Sequence, residues 1–293
     1  MRLANHWRRN WTFFDLGVAA GRVGSVRLGE ETVEVVRLGK GAPLVLVPGL
    51  AGGWRLVFPL AQRLARHFEV ITYNLRGDGC PFAGFGGMGR RVWDLGGHAD
   101  DLASLIEQLQ LECPAVLGVS FGGAIALELA IEHPGRVGAV IVQGVDSQYR
   151  GSIGFTVVRR VLERFPLPQD NRFLNQFFNL LHGGKPESQA VADFVVERIW
   201  ETDQSIIAQR LAQIEGFCVS DRLWRLEAPT LVLAGSRDVI VPKARHLALA
   251  AAMPEARCEV IEGAGHIAFL THRHEFVGHV RRHLRRVEAS IER

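Results

Sequence analysis

The stretch Leu117-Gly118-Val119-Ser120-Phe121-Gly122-Gly123 decides the fold that this sequence predicts. It overlaps a short apolar run, Ala115 to Val119, that is typical of a buried strand. A run rich in helix formers, Ala124 to Ile131, follows it and ends at His133-Pro134. Ser120 is therefore predicted to lie on a tight turn between a strand and a helix.

Gly118 and Gly122 flank Ser120 at the spacing G-x-S-x-G. Side chains at both flanking positions would collide in so tight a turn, so glycine is needed there. The turn exposes the serine hydroxyl above the edge of the sheet, and the N–H groups at the start of the helix favour a developing anion. The stretch Gly118–Gly123 thus resembles the nucleophile elbow of the α/β-hydrolase family.

A serine nucleophile needs a base that takes its proton and an acid that orients the base. The resemblance implies the chain order serine, acid, histidine. Asp238 is the implied acid, because Gly235 to Pro242 is similar to the family's acid loop G-x-x-D-x-x-x-P and follows an apolar run. His266 is the implied base, because it follows the last predicted strand in the sequence Gly263-Ala264-Gly265-His266.

Asp146 is a competing acid, because it follows the predicted strand Val137 to Val142 and some members of the family use an acid from this position. We favour Asp238, whose strand is next to the one that precedes His266. An Asp followed by a Ser, as in Asp146-Ser147, is also an ordinary turn or capping pair.

The resemblance implies that the backbone N–H groups of Leu50 and Phe121 form the oxyanion hole. Leu50 follows the predicted strand Pro43 to Val47 in the sequence Pro48-Gly49-Leu50. The family usually has a histidine where this chain has Pro48. This replacement does not remove the N–H of Leu50. The sequence does not indicate which contacts support the loop in place of the histidine. Arg76 lies in a turn similar to the family's R-G-x-G and is expected to be structural.

The resemblance implies an α/β fold with a mostly parallel central sheet flanked by helices. Residues 23–146 and 221–293 are the predicted core. Residues 147–220 are the predicted helical cap, because strands stop alternating with helices there while leucines and aromatic residues continue between Pro and Gly breaks. Some aromatic side chains are expected to make the pocket apolar. The candidates are Trp54, Phe173, Phe177 and Phe178.

Residues 1–22 form a predicted N-terminal extension. Leu3, Trp7, Trp11 and Phe14 recur at helical spacing with arginines between them. A helix of this kind either contacts a membrane weakly through residues 1–14 or packs on the body of the protein. We favour packing on the body.

The composition is that of an ordinary globular protein: 293 residues, 47% hydrophobic and 22% charged, with a net charge of +3. So small a charge gives no argument for nucleic acid. No bilayer-spanning run or signal-peptide core is found, and the four cysteines lack C-x-x-C spacing, so we expect reduced thiols in a cytoplasmic protein. Neither a metal nor a cofactor is expected, and the oligomeric state is not predicted. The histidines of the last predicted helix are expected at the surface: His272, His274, His279 and His283.

These residues predict a hydrolase of the carboxylic-ester type that forms an acyl-enzyme with a small-molecule substrate carrying an apolar group. A serine at the elbow argues against dehalogenase and epoxide-hydrolase chemistry, for which the family uses an aspartate. Thioesterase, carbon–carbon bond hydrolase and acyltransferase remain open alternatives. A ligand-binding protein that keeps the fold is less favoured, because a pure binder does not need all three catalytic groups.

Overall fold

The computed structural model describes residues 8–9, 21–78, 94–149, 153–165, 167–168, 171, 175 and 178–291. The predicted pocket residues Phe173 and Phe177 lie outside these ranges. So does the predicted helix at residues 1–14, except for Arg8–Arg9. Those two residues form a short strand that pairs antiparallel with Arg22 and Val23, so the helical prediction is wrong for them.

A nine-stranded sheet forms the centre of the described chain. The strands are β1 Arg8–Arg9, β2 Arg22–Leu28, β3 Glu31–Leu38, β4 Pro43–Val47, β5 Glu69–Tyr73, β6 Ala115–Val119, β7 Ala139–Gln143, β8 Thr230–Gly235 and β9 Ala256–Ile261. Their order in the sheet is β1-β2-β3-β5-β4-β6-β7-β8-β9. The first pairings, β1 with β2, β2 with β3 and β3 with β5, are antiparallel, and the remaining strands are parallel. The predicted, mostly parallel sheet is therefore confirmed.

Helices cover both faces of this sheet. Alternate side chains of β4 show why: Leu44 and Leu46 join one apolar cluster and Val45 and Val47 join the other. A strand buried on both faces is typical of a parallel sheet with helical layers on each side. The described helices outside residues 147–220 are Gly53–Leu64, Leu95–Gln108, Phe121–Glu132, Lys243–Ala251, Ala268–Thr271 and Arg273–Ile291.

Residues 147–220, the predicted cap, are called the insert below. Their described part contains helices Ile153–Arg164, Gln189–Ile199 and Gln204–Glu215 and a 3-10 turn, Leu180–His182. An isolated bridge between Gln148 and Cys218 lies near the two points where the insert joins the core. The insert also contacts the loop that carries His266, because the N–H of Ile267 donates to the carbonyl of Leu181 at 3.2 Å.

The closing helix differs from its prediction in one respect. The histidines of this region were expected at the surface, but His279 and His283 are buried. Both lie on the inner side of an amphipathic helix whose Phe276, Val280 and Leu284 pack into the core. Among the described helices, none is both long enough and apolar enough to cross a membrane.

Candidate active site

Ser120 lies on the turn between β6 and helix Phe121–Glu132, as predicted, in a strained backbone conformation. Its φ is 52° and its ψ is −116°, outside the regions that L-residues favour. A Cβ on Gly118 would press against the carbonyl of Gly122, and a Cβ on Gly122 would press against the carbonyls of Val47 and Pro48. The two flanking glycines are therefore required by close backbone contacts, as the spacing predicted.

Three side chains that are far apart in sequence meet at this turn. Ser120 Oγ lies 2.9 Å from His266 Nε2, and His266 Nδ1 lies 2.9 Å from Asp238 Oδ2. His266 and Asp238 are almost completely buried, at 4% and 5% exposure. The described structure thus joins Ser120, His266 and Asp238 by consecutive hydrogen bonds. This arrangement lets a histidine accept the proton of a serine hydroxyl while a carboxylate orients the ring.

The second oxygen of the Asp238 carboxylate is also held. Its Oδ1 accepts hydrogen bonds from the N–H groups of Ile240 and Val241, both at 2.9 Å. Burial alone would raise the pKa of Asp238, but the neighbouring His266 ring and the N–H of Val241 outweigh it and lower the pKa. The carboxylate is therefore ionised at neutral pH and fixed in orientation.

Asp146, the competing acid, faces a different partner. Its Oδ2 lies 3.3 Å from Arg245 Nη1, and its Oδ1 accepts a hydrogen bond from the N–H of Ser147 at 2.7 Å. The His266 ring is instead hydrogen-bonded to Asp238. This geometry favours Asp238 over Asp146 as the acid.

The end of β7 forms the floor beneath the His266 ring. Gln143 Nε2 donates to the carbonyl of His266 at 2.7 Å, and the carbonyl of Gln143 accepts from the N–H of Ser120 at 2.7 Å. A Cβ on Gly144 would lie 2.8 Å from His266 Cε1, so only glycine leaves room for the ring. Gln143 and Gly144 thus fix the serine turn and the histidine loop relative to each other.

The two expected oxyanion donors lie beside the serine. Phe121 is the first residue of its helix, where backbone N–H groups have no acceptor within the helix. Leu50 lies in the loop after β4, and the neighbouring Gly49 is close to Ser120, since a Cβ on it would be 3.8 Å from the Ser120 Cβ. Leu50, Phe121 and Ser120 all line the same cavity.

This cavity has a volume of about 340 Å³ and lies between the carboxyl ends of the strands and the insert. Ser120 and His266 contribute to its wall together with a charged pair, Asp146 and Arg245. Most of the remaining lining is aliphatic or aromatic, and much of it comes from the insert: Val158, Leu162, Phe178, Leu181, Ile199, Trp200, Ile207 and Leu211. The chamber above the serine is therefore mainly apolar.

Of the predicted pocket residues, Phe178 lines this cavity and Trp54 does not. The Trp54 indole N–H donates to Glu34 Oε2 at 2.6 Å, and the Arg55 guanidinium lies 4.5 Å from its ring. Leu56 faces the cavity instead. Residues two positions apart in a helix are separated by about 200° around its axis, so Trp54 and Leu56 cannot both face the same cavity. The prediction for Trp54 is wrong.

A comparison with known families agrees with this geometry. A model of the alpha/beta hydrolase fold matches residues 42–273. The chain belongs to this family. The match covers β4 to β9 and includes Ser120, Asp238 and His266.

Relatives of this alpha/beta hydrolase have different activities in their names. Over 83% of its length, this chain is 27% identical to a Rhizobium rhizogenes protein named "Putative carbamate hydrolase RutD", and the match covers 92% of that protein. Over 86% of its length, it is also 27% identical to the 2-hydroxymuconate semialdehyde hydrolase of Pseudomonas sp. strain CF600, and the match covers 90% of that protein. A thermophilic esterase from Thermogutta terrifontis, with malate bound, superposes with a TM-score of 0.76 at 25% identity, covering 90% of this chain and 98% of that one.

Three residues that shape this hydrolase site have no clear functional signal in the sequence. Gln143 and Gly144 follow a predicted strand, which was a signal of position but not of role. Arg210 lies on helix Gln204–Glu215 between Ile206, Ile207 and Leu211, and it is 1% exposed. An arginine in an apolar helical pattern indicates a buried partner, but the pattern does not say which one.

Proposed function

We propose that this chain is a serine hydrolase that cleaves an ester-type acyl bond of a small molecule with an apolar group. The observation that carries this proposal is the hydrogen-bonded chain Ser120–His266–Asp238 at the wall of an apolar cavity. The similarity to an esterase of known structure supports the ester bond, and the two curated relatives show that nearby sequences have other hydrolase names.

In the proposed reaction, Ser120 Oγ attacks the acyl carbonyl while His266 Nε2 takes the hydroxyl proton. Asp238 holds the ring and stabilises its cationic form. The N–H groups of Leu50 and Phe121 bind the oxyanion, an effect of about 3 kcal/mol for one donor in comparable sites. His266 then gives the proton to the leaving alkoxide, so the alcohol departs and the acyl group stays on Ser120.

Water completes the cycle in the second half. His266 takes a proton from the water as its oxygen attacks the acyl-enzyme, and returns that proton to Ser120 Oγ when the acid leaves. The apolar wall formed by the insert favours an apolar acyl or alcohol group, because burying such a group contributes roughly 0.8 kcal/mol per CH₂. The proposed chemistry uses the three side chains, the two backbone N–H groups and water.

The test is turnover of p-nitrophenyl esters of graded chain length by the wild type and by Ser120→Ala. The wild type should release a burst of p-nitrophenol equal to the enzyme concentration if deacylation is the slower step. Ser120→Ala should fold normally and lose most turnover, with a residual rate from the oxyanion hole. Ser104→Ala, a serine on helix Leu95–Gln108, is the matched control.

Turnover by Ser120→Ala equal to that of the control would remove Ser120 from the mechanism. A wild type that cleaves no ester, but cleaves a thioester, a carbamate or a carbon–carbon bond in the same panel, would replace the proposed bond type while keeping the nucleophile. Failure on every substrate class would favour a ligand-binding protein.

A further inference from the structure

Arg210 is a fully buried arginine whose guanidinium donates hydrogen bonds to two separate segments of the core, the loop at Leu50 and the turn from Arg76 to Asp78. Its side chain is 2% exposed. Nη1 donates to the carbonyl of Leu50 at 2.8 Å and to Asp78 Oδ1 at 2.9 Å, and Nη2 donates to the carbonyl of Arg76 at 2.9 Å. Since Arg210 lies on a helix of the insert, one insert side chain holds the loop that contributes an expected oxyanion donor.

A second insert residue holds the same loop from its other end. Thr202 Oγ1 accepts a hydrogen bond from the N–H of Gly52 at 2.9 Å and donates to Asp78 Oδ1 at 3.1 Å. Arg210 and Thr202 therefore meet on one carboxylate, Asp78, and together fix the segment from Leu50 to Gly52.

This loop needs outside support, because its sequence gives it little stiffness. Gly49 lies beside Ser120, and Gly52 has a φ of 80°, a conformation that glycine adopts readily and other residues do not. Pro48 has no N–H to donate, so the backbone has fewer local hydrogen bonds available. The support that the sequence left open at Pro48 is supplied by contacts between this loop and the insert.

The charge of Arg210 makes the contact stiff. Asp78 is also buried, at 4% side-chain exposure, so the pair interacts in a medium of low dielectric constant. The planar guanidinium presents several N–H groups in fixed directions, whereas a lysine ammonium is a compact charge on a flexible stem. An arginine can therefore bond two carbonyls and a carboxylate at once in a defined geometry.

We propose that Arg210 is a positioning residue that sets the oxyanion donor at Leu50 and couples it to the position of the insert. The inference rests on the proposed function, because it assigns a role within that reaction. It predicts that loss of Arg210 impairs stabilisation of the tetrahedral intermediate while leaving ground-state binding largely unchanged, since Arg210 is not among the residues that line the cavity.

The test compares two double variants, each of which removes one arginine–carboxylate pair that involves helix Gln204–Glu215. Arg210→Met with Asp78→Asn neutralises both partners, because a lone buried Asp78 would destabilise the fold. Arg159→Met with Glu215→Gln is the matched control: Arg159 Nε donates to Glu215 Oε2 at 3.0 Å within the insert, away from the Leu50 loop. Arg210→Lys keeps the positive charge, and it replaces the first double variant in the comparison if that variant does not fold.

Three measurements are made on each folded variant: amide hydrogen exchange, ester kinetics and affinity for a transition-state analogue. Amide hydrogen exchange of the peptide that contains residues 48–54 should be about ten-fold faster in Arg210→Met/Asp78→Asn than in the control, because the loop opens locally. Its kcat for a p-nitrophenyl ester should fall by about 10- to 100-fold with KM nearly unchanged, and affinity for a trifluoromethyl ketone, which forms a tetrahedral adduct, should fall by a similar factor. Arg210→Lys should show a smaller loss in the same direction.

Equal exchange in the two double variants would overturn the inference whatever their activity. Faster exchange with kcat and ketone affinity at the control level would overturn the link to the oxyanion hole. A wild type without acyl turnover would instead refute the proposed function, and the exchange comparison would still decide whether Arg210 holds the loop.

Discussion

The fit of the His266 ring against Gly144 predicts that one added methyl group will disable the site. Gly144 has a φ of 70°, and a Cβ there would lie 2.8 Å from His266 Cε1 and 3.1 Å from Nδ1. Carbon atoms in ordinary contact are about 3.5 Å apart, so the ring must move by roughly 0.7 Å in Gly144→Ala. Both of its 2.9 Å contacts, to Ser120 and to Asp238, would lengthen or bend.

A misplacement of about 1 Å can cost 10²-fold in rate, so kcat should fall by roughly 100-fold. The positive φ adds a separate loss of stability of about 1–2 kcal/mol for alanine. Gly135→Ala is the control for that loss, because Gly135 has a φ of 79° and nothing within 4 Å of its Cβ position. The assay is kcat on a p-nitrophenyl ester, with free energies of unfolding from urea titrations.

Gly135→Ala should lose similar stability while keeping its turnover. If both variants retained wild-type kcat, the claim that the position of the His266 ring depends on Gly144 would be refuted. If both lost turnover equally, the loss would come from backbone strain rather than from displacement of the ring.

Three further predictions follow from single side chains. Asp238→Asn should lower kcat by up to about 10⁴ and Asp146→Asn should not; the reverse order on one ester would make Asp146 the acid. Phe178→Ala should change the preference for long acyl chains more than the rate on an acetate ester, and an unchanged profile would place this ring outside the acyl site. Burial lowers the pKa of His283 from 6.5 to about 4, so its stabilising effect is complete above pH 6.5 and is lost as the pH falls towards 4. At pH 5 this effect has lowered the free energy of unfolding by about 2 kcal/mol. In urea titrations, the free energy of unfolding of His283→Gln should therefore fall less between pH 7 and pH 5 than that of the wild type. An equal fall would contradict this account.

The sequence alone determined the features that depend on short-range sterics and periodicity. The runs Pro43–Val47 and Ala115–Val119 are strands with the predicted bounds, because apolar residues without helical spacing between turn signals favour a buried strand. Gly118 and Gly122 are dictated by collisions within a few residues of Ser120. The family, the strand–helix order and the positions of Ser120, Asp238 and His266 at strand ends follow from such local patterns.

Patterns of this kind failed where the direction of a side chain depends on packing. Trp54 was assigned to the pocket as an aromatic residue, but the orientation of its helix turns it towards Glu34. His283 was assigned to the surface as part of a charged helix, but it lies on the buried side, where its Nε2 lies 3.2 Å from the carbonyl of Pro229.

Only the tertiary structure decided how the site is held together. The partner of Arg210 at Leu50 is 160 residues away and the partner of His266 at Gln143 is 123 residues away, so no local spacing could indicate either pair. The contact of Gly144 with the His266 ring and the pairing of Asp146 with Arg245 arise in the same way. Local sequence sets which residues reach the edge of the sheet, whereas the packing of separate elements sets which of them touch.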